Sequence, residues 1–70
     1  MNIYIAVVGQ YETAMNWTIG AYSTVENAVA ALEQEMDTSS KVLDYSCIQT
    51  YALDGLKIDD DIVVYQRETE

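Results

Sequence analysis

Apolar side chains dominate the beginning of the chain. From Met1 to Val8, nearly every position on both faces of an extended segment is apolar, which is typical of a strand covered on both sides. A turn is predicted at residues 9–12. In the segment from Ala14 to Tyr22, alternate positions place Met15, Trp17 and Ile19 on one face, which predicts a second strand. The short connection between the two strands favours an antiparallel hairpin.

A helix is predicted next. Ser23 to Glu26 has the sequence of a capping box, in which the Ser23 hydroxyl accepts from the Glu26 amide and the Glu26 carboxylate accepts from the Ser23 amide. The helix should extend to about Met36. One apolar stripe repeats at helical spacing along it: Val25, Ala28, Val29, Leu32 and Met36.

Two further strands are predicted after the helix. Val42 to Leu53 predicts a long strand with Leu43, Tyr45 and Cys47 on one face. Asp54-Gly55 is a turn signal, which leaves two alternatives: a tight hairpin into residues 56–58, or one loop over residues 54–61. Ile62 to Arg67 predicts the last strand, apolar on both faces, before a frayed end.

The order of elements is therefore β-β-α-β-β. We expect an α+β fold over a single domain of residues 1–70: a four-stranded, mostly antiparallel sheet with one helix packed on one face. One helix covers only one face of a sheet. Because the first and last strands are apolar on both faces, the open face should carry Tyr and Val side chains, which a partner or a second copy could cover.

The charge of the chain narrows the choice of partner. Twelve Asp and Glu face three Lys and Arg among 70 residues, a net charge of −9. This charge repels phosphate backbones and anionic lipids, so we expect no direct binding of nucleic acid or membrane. The longest apolar run, Ile3 to Val8, is too short to span a membrane, and no signal peptide is expected. A basic protein partner is favoured instead.

Catalytic and metal-binding residue types are scarce. The chain has no His and only one cysteine, Cys47, so a disulfide within it is excluded and zinc is disfavoured. Cys47 is either a buried structural thiol or a reactive one, and an unpaired thiol fits a reducing cytoplasm. We expect no enzyme activity, no cofactor and no metal.

Two groups of carboxylates are candidate partner-binding sites. Glu33, Glu35 and Asp37 lie near the end of the predicted helix, where they oppose its macrodipole. They are either ordinary solvated acids, or residues that destabilise the helix but are kept because a basic partner binds them. The second group comprises Asp54, Asp59, Asp60 and Asp61. It could lie near the start of the helix for electrostatic reasons, bind a partner, or bind calcium, although it lacks EF-hand spacing.

Tyrosine is the third clue. The chain has six Tyr and one Trp but no Phe. Tyrosine suits half-buried positions, so these side chains either fill the core beneath the helix or anchor an interface. Tyr11, in the first turn, is predicted to be the most exposed and joins the acids as a candidate partner-binding residue.

Two runs of the sequence carry a resemblance. Ile3 to Glu12 contains Gly-Gln-Tyr after a Tyr/Val-rich strand, and Ile19 to Ala28 contains Gly-Ala-Tyr-Ser-Thr-Val-Glu-Asn-Ala. With the Tyr-rich strand that follows, they resemble small phage-encoded proteins of unknown function. The resemblance covers residues 3–53 and implies an origin in a phage or mobile element. Residues 54–61 have no counterpart in it.

Two hypotheses of function follow. The first is an acidic, non-enzymatic phage protein that binds and inhibits a host protein. The expected target is a nucleic-acid-binding defence complex, such as a CRISPR effector, to whose basic groove the protein presents carboxylates. A local acidic strip fits this hypothesis better than mimicry of a whole duplex. The second is a self-assembling, homodimeric structural or accessory protein, in which the acids only maintain solubility.

Overall fold

The computed structural model describes residues 1–38, 43–58 and 60–67. Five elements follow one another in these residues: β1 (Asn2–Gly9), β2 (Asn16–Tyr22), α1 (Val25–Thr38), β3 (Tyr45–Ala52) and β4 (Ile62–Gln66). The predicted β-β-α-β-β order is confirmed.

The four strands form one sheet in the order β2-β1-β3-β4, and every neighbouring pair is antiparallel. β1 and β3 are the central strands and pair along their whole length, from Asn2 opposite Ala52 to Gly9 opposite Tyr45. β2 and β4 are the outer strands. The predicted α+β class is therefore confirmed.

The helix lies on one face of the sheet, mainly over β1 and β2 and less over β3. Its stripe places Leu32, which is fully buried, against the apolar positions of the central strands. Burying a side chain of this size stabilises the fold by about 1.5–3 kcal/mol. The buried members of this core are Ala6, Val8, Ala28, Leu32, Leu43 and Ile48.

The helix begins one residue later than the capping box predicts. The Thr24 hydroxyl, not that of Ser23, accepts a hydrogen bond from the Asn27 amide at 3.1 Å. Thr24 is therefore the N-cap residue, and the prediction for Ser23 is wrong because the adjacent hydroxyl serves equally well. At the other end the helix continues past Met36 to Thr38, whose hydroxyl donates to the Gln34 carbonyl at 2.8 Å.

The first turn is longer than the sequence suggests. The Gln10 amide donates to the Met15 carbonyl at 2.8 Å, so Ala14 and Met15 belong to the turn and β2 begins at Asn16. Ala14 has a φ of 54°, a conformation that residues with a side chain adopt at a cost.

The third strand is shorter than predicted. It begins at Tyr45, whereas Val42 lies outside the described residues. Leu43 precedes the strand and joins the core under the helix, so the prediction that it shares a face with Tyr45 and Cys47 is wrong. The alternation of side chains between the two faces of a sheet holds only within a strand, and Leu43 lies before β3 begins.

The turn after β3 follows the hairpin alternative. The Gly55 amide donates to the Ala52 carbonyl at 2.9 Å, and Asp54 has a φ of 59°. The chain then returns along β3, where Lys57 forms an isolated bridge with Tyr51. β4 begins at Ile62 and ends one residue before the predicted Arg67.

The open face of the sheet is partly covered by tyrosines. The Tyr45 ring lies directly over Gly9, and a Cβ at Gly9 would collide with it. The same ring stacks on the Tyr11 ring, with the ring centroids 5.6 Å apart and an angle of 22° between the ring planes. Below this stack, Val7 and Cys47 are only 7% and 8% exposed, although α1, the one helix in the described part of the chain, lies on the other face. The tyrosines therefore shield one end of the open face.

Replacing Gly9 by Ala should destabilise the fold, because the new methyl group displaces the Tyr45 ring. We expect a loss of about 1–3 kcal/mol in the free energy of unfolding, measured by urea denaturation. In a Tyr45→Ala background the same glycine substitution should cost far less. An equal cost in both backgrounds would show that backbone conformation, not the ring, requires the glycine.

Candidate functional site

β4 is the strand with the most exposed apolar surface. Ile62, Val63 and Tyr65 are 41%, 58% and 41% exposed. Within residues 1–38, 43–58 and 60–67, β4 is an outer strand that pairs with β3 along one side only. It carries no charged residue and no proline, the features that usually protect an exposed strand from further pairing. We call this strand and the two grooves beside it the β4 edge.

The first groove, the helix groove, lies between α1 and β4 on the helix-covered face. Its volume is about 510 Å³. Its floor is formed by Leu32 and Ser46, and its walls by two sets of side chains: Glu33, Met36 and Asp37 from α1, and Val64 and Tyr65 from β4. It is thus an apolar groove with two carboxylates on its helical wall.

A bulge in β4 shapes this groove. The pairing of β3 with β4 shifts between Ser46 and Cys47, so Val64 is an extra residue between the partners of these two positions. A bulge can turn two consecutive side chains to one face. Val64 and Tyr65 accordingly both line the helix groove.

Ser46 is the unusual residue of the helix groove. It is fully buried, and it lies opposite Val8 and Tyr65 in the neighbouring strands, hence on the helix-covered face. Its Oγ has no hydrogen-bond partner in the part of the chain that the structure describes. An unpaired buried hydroxyl is costly, so its presence at the floor of a groove needs an explanation.

The second groove, the tyrosine groove, lies on the open face. Its volume is about 290 Å³. The stacked Tyr11 and Tyr45 line it together with Ser46, Asp61, Val63 and Gln66. Asp61 also forms an ion pair with Lys57, and this interaction raises the pKa of Lys57. The lysine offsets the charge of Asp61 in this groove.

Cys47 also lines the tyrosine groove but is buried. Burial raises the pKa of its thiol, and the nearby Asp61 carboxylate raises it further. The protonated thiol is therefore favoured, which supports the structural interpretation of this residue over the reactive one.

The structure gathers some of the predicted residues at the β4 edge. Glu33 and Asp37 lie in the helix groove, and Asp61 and Tyr11 in the tyrosine groove. Tyr11 is exposed as expected, at 39%, but Tyr65 is equally so.

The other predicted residues lie elsewhere. Glu35 is half-buried and lines neither groove, and Asp54 and Asp60 are exposed on the connection between β3 and β4. Asp59 lies outside the described residues. The calcium alternative cannot be placed on this segment, and no three acidic or sulfur ligands among residues 1–38, 43–58 and 60–67 could hold a metal ion.

Asp44 is a structural residue that the sequence did not single out. Its Oδ2 accepts from the Tyr11 amide at 2.7 Å, and its Oδ1 accepts from Arg67 Nη1 at 3.1 Å. Its backbone amide and carbonyl bind Gly9 and Arg67. This one carboxylate therefore joins the first turn, the start of β3 and the end of β4. The Tyr11 hydrogen bond, with help from Arg67, lowers the pKa of Asp44.

The basic side chains that the structure describes serve internal contacts. Arg67 pairs with Asp44, and Lys57 pairs with Asp61. The third basic residue, Lys41, lies outside the described residues. The acidic character of the β4 edge is therefore not balanced by a free cation from Arg67 or Lys57.

Comparisons with known proteins add no further evidence. No protein-family model matches the chain, and neither a curated protein nor a solved structure shows significant similarity to it. Within the described residues, no helix has the length and apolar character needed to cross a membrane.

Replacing Asp44 by Asn should lower the melting temperature in a pH-dependent way. Folding lowers the pKa of Asp44, so the ionised carboxylate stabilises the folded state. This stabilisation is complete above the unfolded-state pKa of about 4 and is lost as the pH falls through the lower pKa of the folded state. The gap between wild type and D44N should therefore close in acid. A gap of unchanged size in acid would contradict the ion-pair role of Asp44.

Replacing Ser46 by Ala should stabilise the protein, because it removes a buried hydroxyl that lacks a protein partner. We expect a gain of about 1 kcal/mol, which is a rise of about 4–8 °C in melting temperature for a domain of this size. Thermal denaturation measures it. A lower melting temperature would mean that the hydroxyl makes a stabilising hydrogen bond in the free protein.

Proposed function

We propose that this protein is a non-enzymatic binding protein that docks on a basic, nucleic-acid-binding protein and blocks access to its nucleic acid. The observation that carries the proposal is the β4 edge. It combines the exposed apolar side chains of Ile62, Val63 and Tyr65 with the carboxylates of Glu33 and Asp37 in the adjoining groove. Apolar anchors with a charged surround are the usual anatomy of a protein interface.

The charge supplies the choice of partner. With a net charge of −9, the chain is attracted to surfaces rich in Lys and Arg, and such surfaces usually hold phosphate backbones. A carboxylate strip on those residues competes directly with nucleic acid. The resemblance to small phage-encoded proteins supports a host defence complex as the target, such as a CRISPR effector, in the host cytoplasm.

A second copy of the chain is the competing occupant of the β4 edge. Exposed apolar outer strands can pair with one another, and the homodimer hypothesis is favoured by this feature. Two copies would, however, repel each other, because each carries a net charge of −9. A homodimer should therefore become stronger as salt screens this repulsion, whereas a complex with a basic partner should become weaker.

The direct test is affinity capture from a bacterial lysate with the intact chain as bait, eluted along a salt gradient. The proposal expects a nucleic-acid-binding protein that salt releases and that its own DNA or RNA displaces. Capture that is insensitive to salt and to nucleic acid, or a bait that retains only itself and dimerises more tightly in high salt, would contradict it.

A matched pair of lysine substitutions tests the position of the interface. Val63→Lys places a cation on the β4 edge, whereas Ala21→Lys adds the same charge at an exposed position of β2, the opposite outer strand. We expect V63K to weaken partner binding at least about tenfold, or about 1.4 kcal/mol, in a titration, because the lysine repels a basic surface and interrupts the apolar patch. A21K should bind almost as wild type.

Equal losses for the two variants would show that net charge alone governs binding. Both positions are exposed, so both variants should unfold close to the wild-type temperature.

A further inference from the structure

We propose that the helix groove is a binding pocket for an arginine side chain, presented by an extended segment of the partner that pairs with β4 as a fifth strand. This inference rests on the proposed function and names the segment that the β4 edge recognises. It is carried by the joint presence of two carboxylates, an exposed aromatic ring and an unpaired buried hydroxyl in one groove.

The carboxylates are correctly spaced for one cation. Glu33 and Asp37 are four residues apart on α1 and therefore lie one above the other on the same face of the helix. They are close to the C-terminal end of the helix, where the macrodipole adds negative potential and the last turn has no basic residue. A cation between them would relieve both their mutual repulsion and their conflict with the dipole.

The walls of the groove suit the aliphatic part of a long basic side chain. Met36 and Val64 supply apolar contacts, and the Tyr65 ring, which is 41% exposed, offers a face on which a guanidinium can stack. A volume of about 510 Å³ leaves room for such a side chain between α1 and β4.

Ser46 is the independent observation that points to a ligand. Its hydroxyl is buried in the floor of the groove and has no hydrogen-bond partner among the residues that the structure describes. A hydroxyl oxygen accepts N–H donors, and a guanidinium has five of them in a planar fork. Because Ser46 is 0% exposed, a small displacement of the side chains above it is needed before one arginine can contact Glu33, Asp37 and Ser46 together. A lysine ammonium, with three donors and no planar fork, suits this arrangement less well.

The backbone of β4 is suited to the pairing. The Arg67 amide donates to the Asp44 carbonyl at 2.7 Å, so it points toward β3. Because N–H groups alternate in direction along a strand, the Gln66 amide points away from the sheet. A partner strand would hydrogen-bond to this free side, while the helix groove selects one of its side chains, as in other complexes formed by strand addition.

Charge selects a basic segment over a second copy of the chain. The Arg67 guanidinium is already held by Asp44, and pairing two β4 strands would bring two sets of Glu33 and Asp37 together. A basic extended segment meets the opposite charge instead. The occupant that fits the groove is thus an arginine-bearing strand of a basic protein.

The experiment is a titration of the intact chain, followed by NMR, with a short capped peptide that has a central arginine among alternating valines and threonines. The comparison peptide has citrulline, a neutral isostere, at the centre. We expect the arginine peptide to bind at least tenfold more tightly, to shift the resonances of Ser46 and Tyr65, and to protect the Gln66 amide from exchange.

Two variants and a control complete the test. Glu33→Gln/Asp37→Asn should weaken binding of the arginine peptide at least tenfold, whereas Glu12→Gln/Glu26→Gln, which removes the same charge from exposed positions outside the groove, should weaken it less than twofold. Ser46→Ala should weaken binding about fivefold while it raises the melting temperature. A loss of affinity in a more stable protein cannot be attributed to poor folding.

Several outcomes would overturn the inference. Equal binding of the two peptides, equal losses for the two charge variants, or unchanged affinity in S46A would each exclude the arginine pocket. An unprotected Gln66 amide would exclude strand addition. Failure of the proposed function gives a different result from failure of the arginine pocket. If only the proposed function is wrong, the arginine peptide still binds the groove, but nucleic acid does not displace the captured partner.

Discussion

One helix above a four-stranded sheet is the constraint on which the rest of the structure depends. α1 can shield only β1, β2 and part of β3, and burial of its Leu32 stripe fixes it there. Among the described residues, nothing pairs with the outer side of β4, whose apolar side chains are exposed. In a chain this small, covering β4 would need another element or another molecule. We propose that this molecule is a basic protein.

One end of the sheet is fixed by two sets of contacts. On the open face, the Tyr45 ring over Gly9 shields the end where β1 and β3 meet the first turn. Asp44 ties the same turn to Arg67, and so consumes an arginine that would otherwise neutralise the acidic surface. The bulge at Val64 then turns two β4 side chains toward the helix. Rigid packing at one end thus leaves a defined groove beside β4.

The order of elements and the helical stripe could be predicted because both are local periodicities. The helix cap was misplaced by one residue since Ser23 and Thr24 carry equivalent hydroxyls. Asp44 was missed because its partners lie 33 and 23 residues away in the sequence. The meeting of Glu33 with Tyr65 in one groove was equally beyond local pattern, because it depends on how far the helix extends across the sheet and on a bulge that alternation does not reveal.

Amide hydrogen exchange on the complex with a captured partner tests the central claim most directly. The two outer strands serve as an internal comparison, since β2 and β4 are both edges of the same sheet. The account predicts that binding slows exchange in β4 and leaves β2 unchanged. Slower exchange in β2 with no change in β4 would contradict it and move the interface to the opposite edge.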